Sequence, residues 1–109
     1  MIAIDFETHM IAPGTLAPPI VCYSESDGRA PGRVLQRLAG VSRLTELLER
    51  GELLTGANIA YDFGCYLKAV PRAFELVWKA YEQGKVLDVL IASTLDAVAD
   101  GRLVDGSLF

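Results

Sequence analysis

Asp5 and Glu7 stand two positions apart in the segment Ile2–Glu7, where Ile2, Ile4 and Phe6 take the alternate places. An alternation of period two reads as a β-strand, and it sends both carboxylates to the same side. Two carboxylates held that close repel each other, and each raises the other's pKa unless a cation sits between them. Their oxygens are the ligands that Mg²⁺ and Mn²⁺ prefer. A pair of such ions can polarise an attacking water and stabilise the leaving oxygen of a phosphodiester. Half-exposed strands also carry alternating acids for no chemical reason, so one D-x-E carries little weight by itself.

A second piece is Gly56-Ala57-Asn58-Ile59-Ala60-Tyr61-Asp62-Phe63. Asn58 and Asp62 are four apart and share a face if a helix opens at Asn58. Asn58 is a good N-cap, and Asp62 in the first turn gains from the positive end of the helix dipole, so both residues have structural explanations. The same geometry lets Asp62 offer an oxygen to a metal already held by Asp5. It also leaves free backbone N–H groups near an incoming phosphate.

The elements that must position these groups are legible in outline. Residues 9–19, with Pro13, Gly14, Pro18 and Pro19, form a loop, and Ile20–Ser24 is a second strand, closed by the turn Ser26-Asp27-Gly28. Residues 33–39 fit strand or helix. Ser42 is placed to cap a short helix that presents Leu44, Leu47 and Leu48 and ends at Gly51. Leu53–Thr55 is a third apolar run. A helix follows from Asn58 to about Val70, broken by Pro71, and another carries Phe74, Val77, Trp78 and Tyr81 and ends at Gly84. Val86–Leu87 reads as a strand, followed by a helix over about Val89–Ala99. Strands alternating with helices predict an α/β layer with an antiparallel hairpin near its start. Phe74, Trp78 and Tyr81, at helical spacing, are expected in the core rather than as a base-stacking platform. His9 is expected to be a solvated loop residue.

The chain has 109 residues, 51% of them hydrophobic, enough for one domain with a real core and too apolar for a disordered segment. No apolar run approaches the roughly 18–20 residues of a membrane span. The opening MIAIDFET lacks the basic start and long apolar stretch of a signal peptide. Cys22 and Cys65 fit neither a disulfide framework nor a metal knuckle, and a cytoplasmic setting, bacterial or in a phage-infected host, is expected. The net charge is −4, and no Lys or Arg precedes Arg29. Five Arg then fall between residues 29 and 50, a cluster expected to be ordinary solvated surface. There is no basic stripe of the kind that binds nucleic acid by phosphate neutralisation alone, so any such binding must come from a local site.

Asp5-Phe6-Glu7-Thr8 after a short apolar strand, followed by Gly56-x-Asn58-x-x-Tyr61-Asp62, resembles the DnaQ-like 3′–5′ exonucleases of ribonuclease H-type fold, above all the proofreading domain of phage-type family A DNA polymerases. The resemblance implies an α/β fold with a ribonuclease H-like mixed β-sheet and flanking helices. It implies hydrolysis of the 3′-terminal phosphodiester of single-stranded DNA with two Mg²⁺ or Mn²⁺ ions. Matched by position, Asp5, Glu7 and Asp62 are the catalytic and metal-binding residues. Asp5 would bridge both ions, Glu7 would hold the ion that activates water, and Asp62 would complete the second site. Thr8, Asn58, Tyr61 and Phe63 would line the substrate. Lys85-Val86-Leu87-Asp88 looks like the family's next strand, whose Asp does not ligate metal. The family's third motif, a Tyr or His followed by a last metal-binding Asp, has no counterpart in residues 89–109, where Asp96, Asp100 and Asp105 stand without either.

These residues are therefore expected to form a single partial exonuclease domain, truncated before its last helix. The expected partners are a DNA 3′ end and a polymerase domain or missing C-terminal segment that covers an open sheet face. Membranes are not among them. A haloacid-dehalogenase-like phosphotransferase also opens with a strand and an Asp, but it needs Asp where this chain has Glu7. The remaining alternative is a catalytically inactive exonuclease-like module that docks nucleic acid or a polymerase.

Overall fold

The structure, a computed structural model, describes residues 1–14 and 17–101, so that Asp105 lies outside the described residues. Strand β1 (Ile2–Thr8) follows the expected alternation: Ile4 and Phe6 are buried, while Ala3, Asp5 and Glu7 are exposed. It pairs antiparallel with β2 (Ile20–Ser26), placing Asp5 opposite Ser24, Phe6 opposite Tyr23 and Glu7 opposite Cys22, with an irregularity between Glu7 and Thr8. β3 (Arg33–Gln36) extends this antiparallel set on the far side of β2. β4 (Leu54–Gly56) lies parallel to β1 on its other edge, and β5 (Val86–Asp88) lies parallel to β4, giving a five-stranded mixed sheet in the order β3-β2-β1-β4-β5.

Four helices connect and flank the strands: α1 (Arg37–Glu49), α2 (Ile59–Ala69), α3 (Phe74–Glu82, entered through a 3₁₀ turn at Pro71–Ala73) and α4 (Val89–Ala99). The core joins Ile4 and Phe6 of the sheet to Leu44 and Leu47 of α1, Ile59, Phe63 and Tyr66 of α2, and Val77 of α3. The other sheet face presents Ala3, Asp5, Glu7, Val34 and Gln36 to solvent. α4 packs lightly: Ala97 is buried, whereas Val89, Ile91, Leu95 and Val98 are exposed. No helix among the described residues is long and apolar enough to cross a membrane.

Two expectations about the helices change. Residues 33–39 divide, with β3 ending at Gln36 and α1 starting at Arg37, so Ser42 lies inside α1 and caps nothing. The reason is Gly40, one helical turn before Leu44. A Cβ built there would overlap the Tyr23 side chain, with Cγ only 2.9 Å away, so glycine lets α1 close onto β2 a full turn earlier than its leucines require. A partly buried ion pair fixes the same contact. Arg43 Nε donates to Glu25 Oε1 at 2.8 Å and Nη2 to Oε2 at 3.2 Å, while Tyr23 Oη donates to Oε1 at 3.2 Å. These bonds, Arg43's first among them, hold the Glu25 carboxyl below its ordinary pKa against the opposing effect of burial.

In α3 the buried side is Val77 and Ala80, and the expectation of core positions for Phe74, Trp78 and Tyr81 is not met. Small residues face inward because α3 lies close against α1. Phe74 and Trp78 stack on each other outside, with centroids 6.3 Å apart, and Trp78 Nε1 donates to Glu82 Oε1 at 2.6 Å. Tyr81 is half-exposed, with its ring edge against Phe63.

Gly40→Ala is expected to cost about 1–3 kcal/mol through overpacking against Tyr23. Gly64→Ala, where an added Cβ meets nothing within 4 Å on the outside of α2, should instead gain up to about 1 kcal/mol. Thermal melts followed by circular dichroism test the pair, whose shifts should have opposite signs.

Candidate functional site

The site begins where two strands separate. β1 is paired to β4 only at Ile2–Leu54 and Ala3–Thr55, while its other edge stays paired to β2 as far as Thr8. Even-numbered amides of β1 point toward β4, as Ile2 N does in donating to Leu53 O at 2.9 Å. Beyond the fork the Phe6 amide has lost its strand partner, and a buried amide must find an acceptor. Asp62 supplies it: Oδ1 accepts from Phe6 N at 2.9 Å. The carboxylate of the second motif is thereby bonded to the backbone of the residue between Asp5 and Glu7. Gly56 permits the close approach at the end of β4, since a Cβ there would meet Ile4 O at 2.9 Å.

The start of α2 sets where Asp62 can reach. Asn58 does stand at the N-cap position, but in the left-handed region, with φ 54° and ψ 48° and no side-chain capping bond. Asn tolerates that region better than most residues do. The cap comes from the end of β5. Asp88 Oδ1 accepts from Asn58 N at 3.2 Å, and Oδ2 accepts from Ile59 N at 3.1 Å. The same carboxylate caps its own helix, α4, accepting from Leu90 N at 2.9 Å and Ile91 N at 3.2 Å. Partial burial pushes the Asp88 pKa up, but the four amides outweigh it and hold it below the ordinary value. Asp88 is thus the residue whose weight sequence reasoning missed. Its position directly before the helix at Val89 was a capping signal for α4, but nothing local could reveal its second helix.

Asp62 is 3% exposed, and its pKa is pushed up to about 6. Burial is the main cause, and the charges of Asp5 and Asp88 add to it, against the opposing bond from Phe6 N–H. Asp5 is also raised, first by partial desolvation and then by the neighbouring carboxylate of Glu7. Asp5 and Glu7 are therefore brought together, and Asp62 lies near enough for Asp5 to act on it electrostatically. The three carboxylates form an all-oxygen donor set of the kind that suits a hard divalent ion. As placed, with Asp62 turned to the Phe6 amide, they do not close into one cluster: among the described residues no group of three or more His, Cys, Asp or Glu side chains is gathered to hold a metal.

Comparison of the chain with family models, with curated proteins and with solved structures gave no match. The reading of the site rests on its own geometry.

Of the residues proposed to line a substrate, Tyr61 and Thr8 meet: the two hydroxyls lie 3.1 Å apart, and Thr8 Oγ1 also donates to His9 O at 3.0 Å. Asn58 is exposed at the start of α2. Phe63 is turned away from that surface, 3% exposed in the core and edge-on to Tyr81, because it shares the α2 face of Ile59 and Tyr66. His9 is exposed, Cys65 is buried and Cys22 half-buried, and both cysteines are free thiols. Beside Asp5 the open sheet face holds a shallow depression of about 400 Å³, lined among others by Ser24, Ser26 and Val34.

Two predictions follow from the pair of aspartates. Asp62 binds a proton more tightly folded than unfolded, so its contribution to stability is greatest below about pH 4 and is lost as pH rises through about 6. Asp62→Asn keeps an acceptor for the Phe6 amide without the charge. Urea midpoints at pH 4.5 and 7.5 should show the variant gaining on the wild type by about 1–2 kcal/mol across that interval. Asp88→Ala strips acceptors from two helix starts and should cost about 2–3 kcal/mol at pH 7, with Asp88→Asn in between. Equilibrium denaturation measures both.

Proposed function

We propose that this domain is a ribonuclease H-like, metal-dependent 3′–5′ exonuclease domain that hydrolyses the terminal phosphodiester of single-stranded DNA, of the kind that proofreads for a DNA polymerase. The observation that carries the reading is the bond from Phe6 N–H to Asp62 Oδ1, which ties the acid of the second motif to the strand bearing Asp5 and Glu7. An amide oxygen could satisfy Phe6 equally well. A carboxylate held at that point, destabilised by burial and by Asp5, has a use only if something positive arrives there. The mixed sheet, with its antiparallel β1–β2–β3 set, parallel β4 and β5 and flanking helices, supports the same family reading.

Asp5, Glu7 and Asp62 would hold Mg²⁺ or Mn²⁺, which when bound supplies Lewis-acid activation of water and stabilises the leaving oxygen. The chain's own contribution is position. β1 presents Asp5 and Glu7 on its exposed side, where a strand end can approach. The irregularity after Glu7 and the Thr8–Tyr61 contact shape the wall next to them, and Tyr61 would brace a terminal nucleotide. Asn58, in its left-handed conformation, and Asp88 fix the first turn of α2 and with it the reach of Asp62.

A second reading, an inactive exonuclease-like module that docks nucleic acid or a polymerase, draws on one observation: the three carboxylates are not gathered into a metal cluster among the described residues. The two readings separate in one assay. The exonuclease reading expects nucleoside monophosphates to be released from a 3′-labelled single strand in Mn²⁺, and Asp5→Ala to abolish the release. The same variant should leave thermal stability unchanged or raised, because it removes repulsion from Glu7 and Asp62. Calorimetry should record Mn²⁺ binding to the wild type and its loss in the variant. No binding at millimolar metal would favour the docking module.

A further inference from the structure

On the helical side of the sheet a cleft of about 510 Å³ is lined by three cations, Arg37, Lys68 and Arg72, and by no acidic residue. Its apolar floor includes Val41, Cys65 and Val70. The cations come from three elements: the first residue of α1, the last turn of α2 and the 3₁₀ turn after it. In a chain of net charge −4 such a gathering is unexpected.

Helix electrostatics accounts for one of the three. Lys68, near the C-terminus of α2, complements that helix's dipole, and its Nζ donates to Ala17 O at 2.7 Å. Arg37 sits at the N-terminus of α1, where a cation is disfavoured, and no acid in the first turn offsets it. Neither Arg37 nor Arg72 makes an ion pair among the described residues, whereas Arg43 and Arg50 both do. Arg37 is exposed, as the reading of the arginine cluster as solvated surface expects, whereas Arg43 departs from it by lying partly buried against Glu25.

The cleft does not stand alone on this surface. A neighbouring depression shares Ile20, Arg37 and Leu38 with it and extends to His9, two residues beyond Glu7. Pro19 O accepts from His9 N at 3.0 Å, so the loop that forms one wall of the cleft is anchored at the end of β1.

We propose that the Arg37–Lys68–Arg72 cleft is a phosphate-binding track for single-stranded nucleic acid, holding the phosphates of the strand whose end lies at Asp5 and Glu7, with sugar and base resting on the apolar floor. Its volume lies within the range of roughly 300–1,000 Å³ typical of small-ligand sites, suited to one or two nucleotides rather than a duplex. Two acids on the open sheet face and three cations outside any ion pair among the described residues give a strand both a place to be cut and a place to be held, without the basic stripe that the sequence lacks. The inference rests on the nuclease reading for the course of the strand, and on the cleft alone for its charge.

The test is anisotropy of a fluorescein-labelled decathymidylate with the whole chain, in EDTA, over a range of NaCl concentrations. Arg37→Gln with Arg72→Gln should weaken binding at least tenfold at low salt. At roughly 0.7 per phosphate, the slope of log K against log salt should flatten by about 1.4, and by about 2 with Lys68→Gln added. Asp5→Asn should bind at least as well as the wild type. All three cations are exposed, and circular dichroism checks that the variants stay folded. Unlabelled tetrathymidylate should displace the probe, whereas thymidine monophosphate and inorganic phosphate at equal phosphate concentration should not. Equal displacement by the monophosphate would overturn the strand assignment in favour of a free nucleotide. Unchanged binding in the triple variant would overturn the cleft altogether, even if the wild type degrades DNA in Mn²⁺. Cation-dependent binding without any hydrolysis would leave the cleft standing and sink the exonuclease reading instead.

Discussion

Everything near the site depends on one amide. Where β4 leaves β1, Phe6 N–H needs an acceptor, and the sheet has none to give. An unpaired amide at a buried position costs on the order of 1–3 kcal/mol, so the acceptor is a condition of the fold. Asp62 meets that condition from α2, but it can do so only if α2 begins at the right residue and height. Asp88 sets that beginning from the end of β5 by holding the first amides of α2. Two aspartates thus tie together the ends of β1, β4 and β5 and the starts of α2 and α4. The cost falls on Asp62, whose pKa is raised first by burial and further by the charges of Asp5 and Asp88.

That cost separates structure from chemistry. Asp88 is dressed by four amides and is stabilised as an anion, which is what a cap requires. Asp62 has the opposite character: buried, beside other acids, with its pKa pushed up to about 6. A fold that needed only a hydrogen-bond acceptor at position 62 would do better with an uncharged one. The difference between these two carboxylates, one settled and one strained, is what the proposed metal-binding role of Asp62 would explain and a purely structural role would not.

Much of this architecture was legible in the sequence. The alternation of β1, the run at Leu53–Thr55 and the helices after Asn58 and Pro71 follow from periodicity and breakers, because those signals are local. The misjudged residues are those whose neighbours lie far along the chain. Ser42 looks like a cap because nothing near it reveals that Gly40 can press against Tyr23 and draw the helix start back to Arg37. Phe74 and Trp78 look like core because aromatic residues at helical spacing usually are. Their burial was decided by how closely α1 and α3 approach, a distance that admits Val77 and Ala80 and turns the large rings outward. At the site, the pairing of Asp5 with Glu7 was legible from strand geometry. Which of Tyr61 and Phe63 points inward was not, because it depends on the rotation of α2 that Asp88 fixes from outside.

Charge in this molecule is arranged by pairing more than by amount. Arg43 and Arg50 are neutralised within α1 and its neighbours, and Glu25 is spent inside the fold. Among the charges outside these pairs are the acids on the open face of β1 and the cations Arg37, Lys68 and Arg72 around the apolar cleft on the helical side. A net charge near zero or below does not disqualify a protein from handling a polyanion if its negative groups are those a metal would cover and its positive groups are left uncovered along one path. In such an arrangement affinity would fall with salt only as steeply as the few uncovered cations dictate, and the metal would govern cleavage far more than holding. Binding and chemistry would then reside in separate, independently removable sets of side chains, which come nearest where His9 N–H meets Pro19 O.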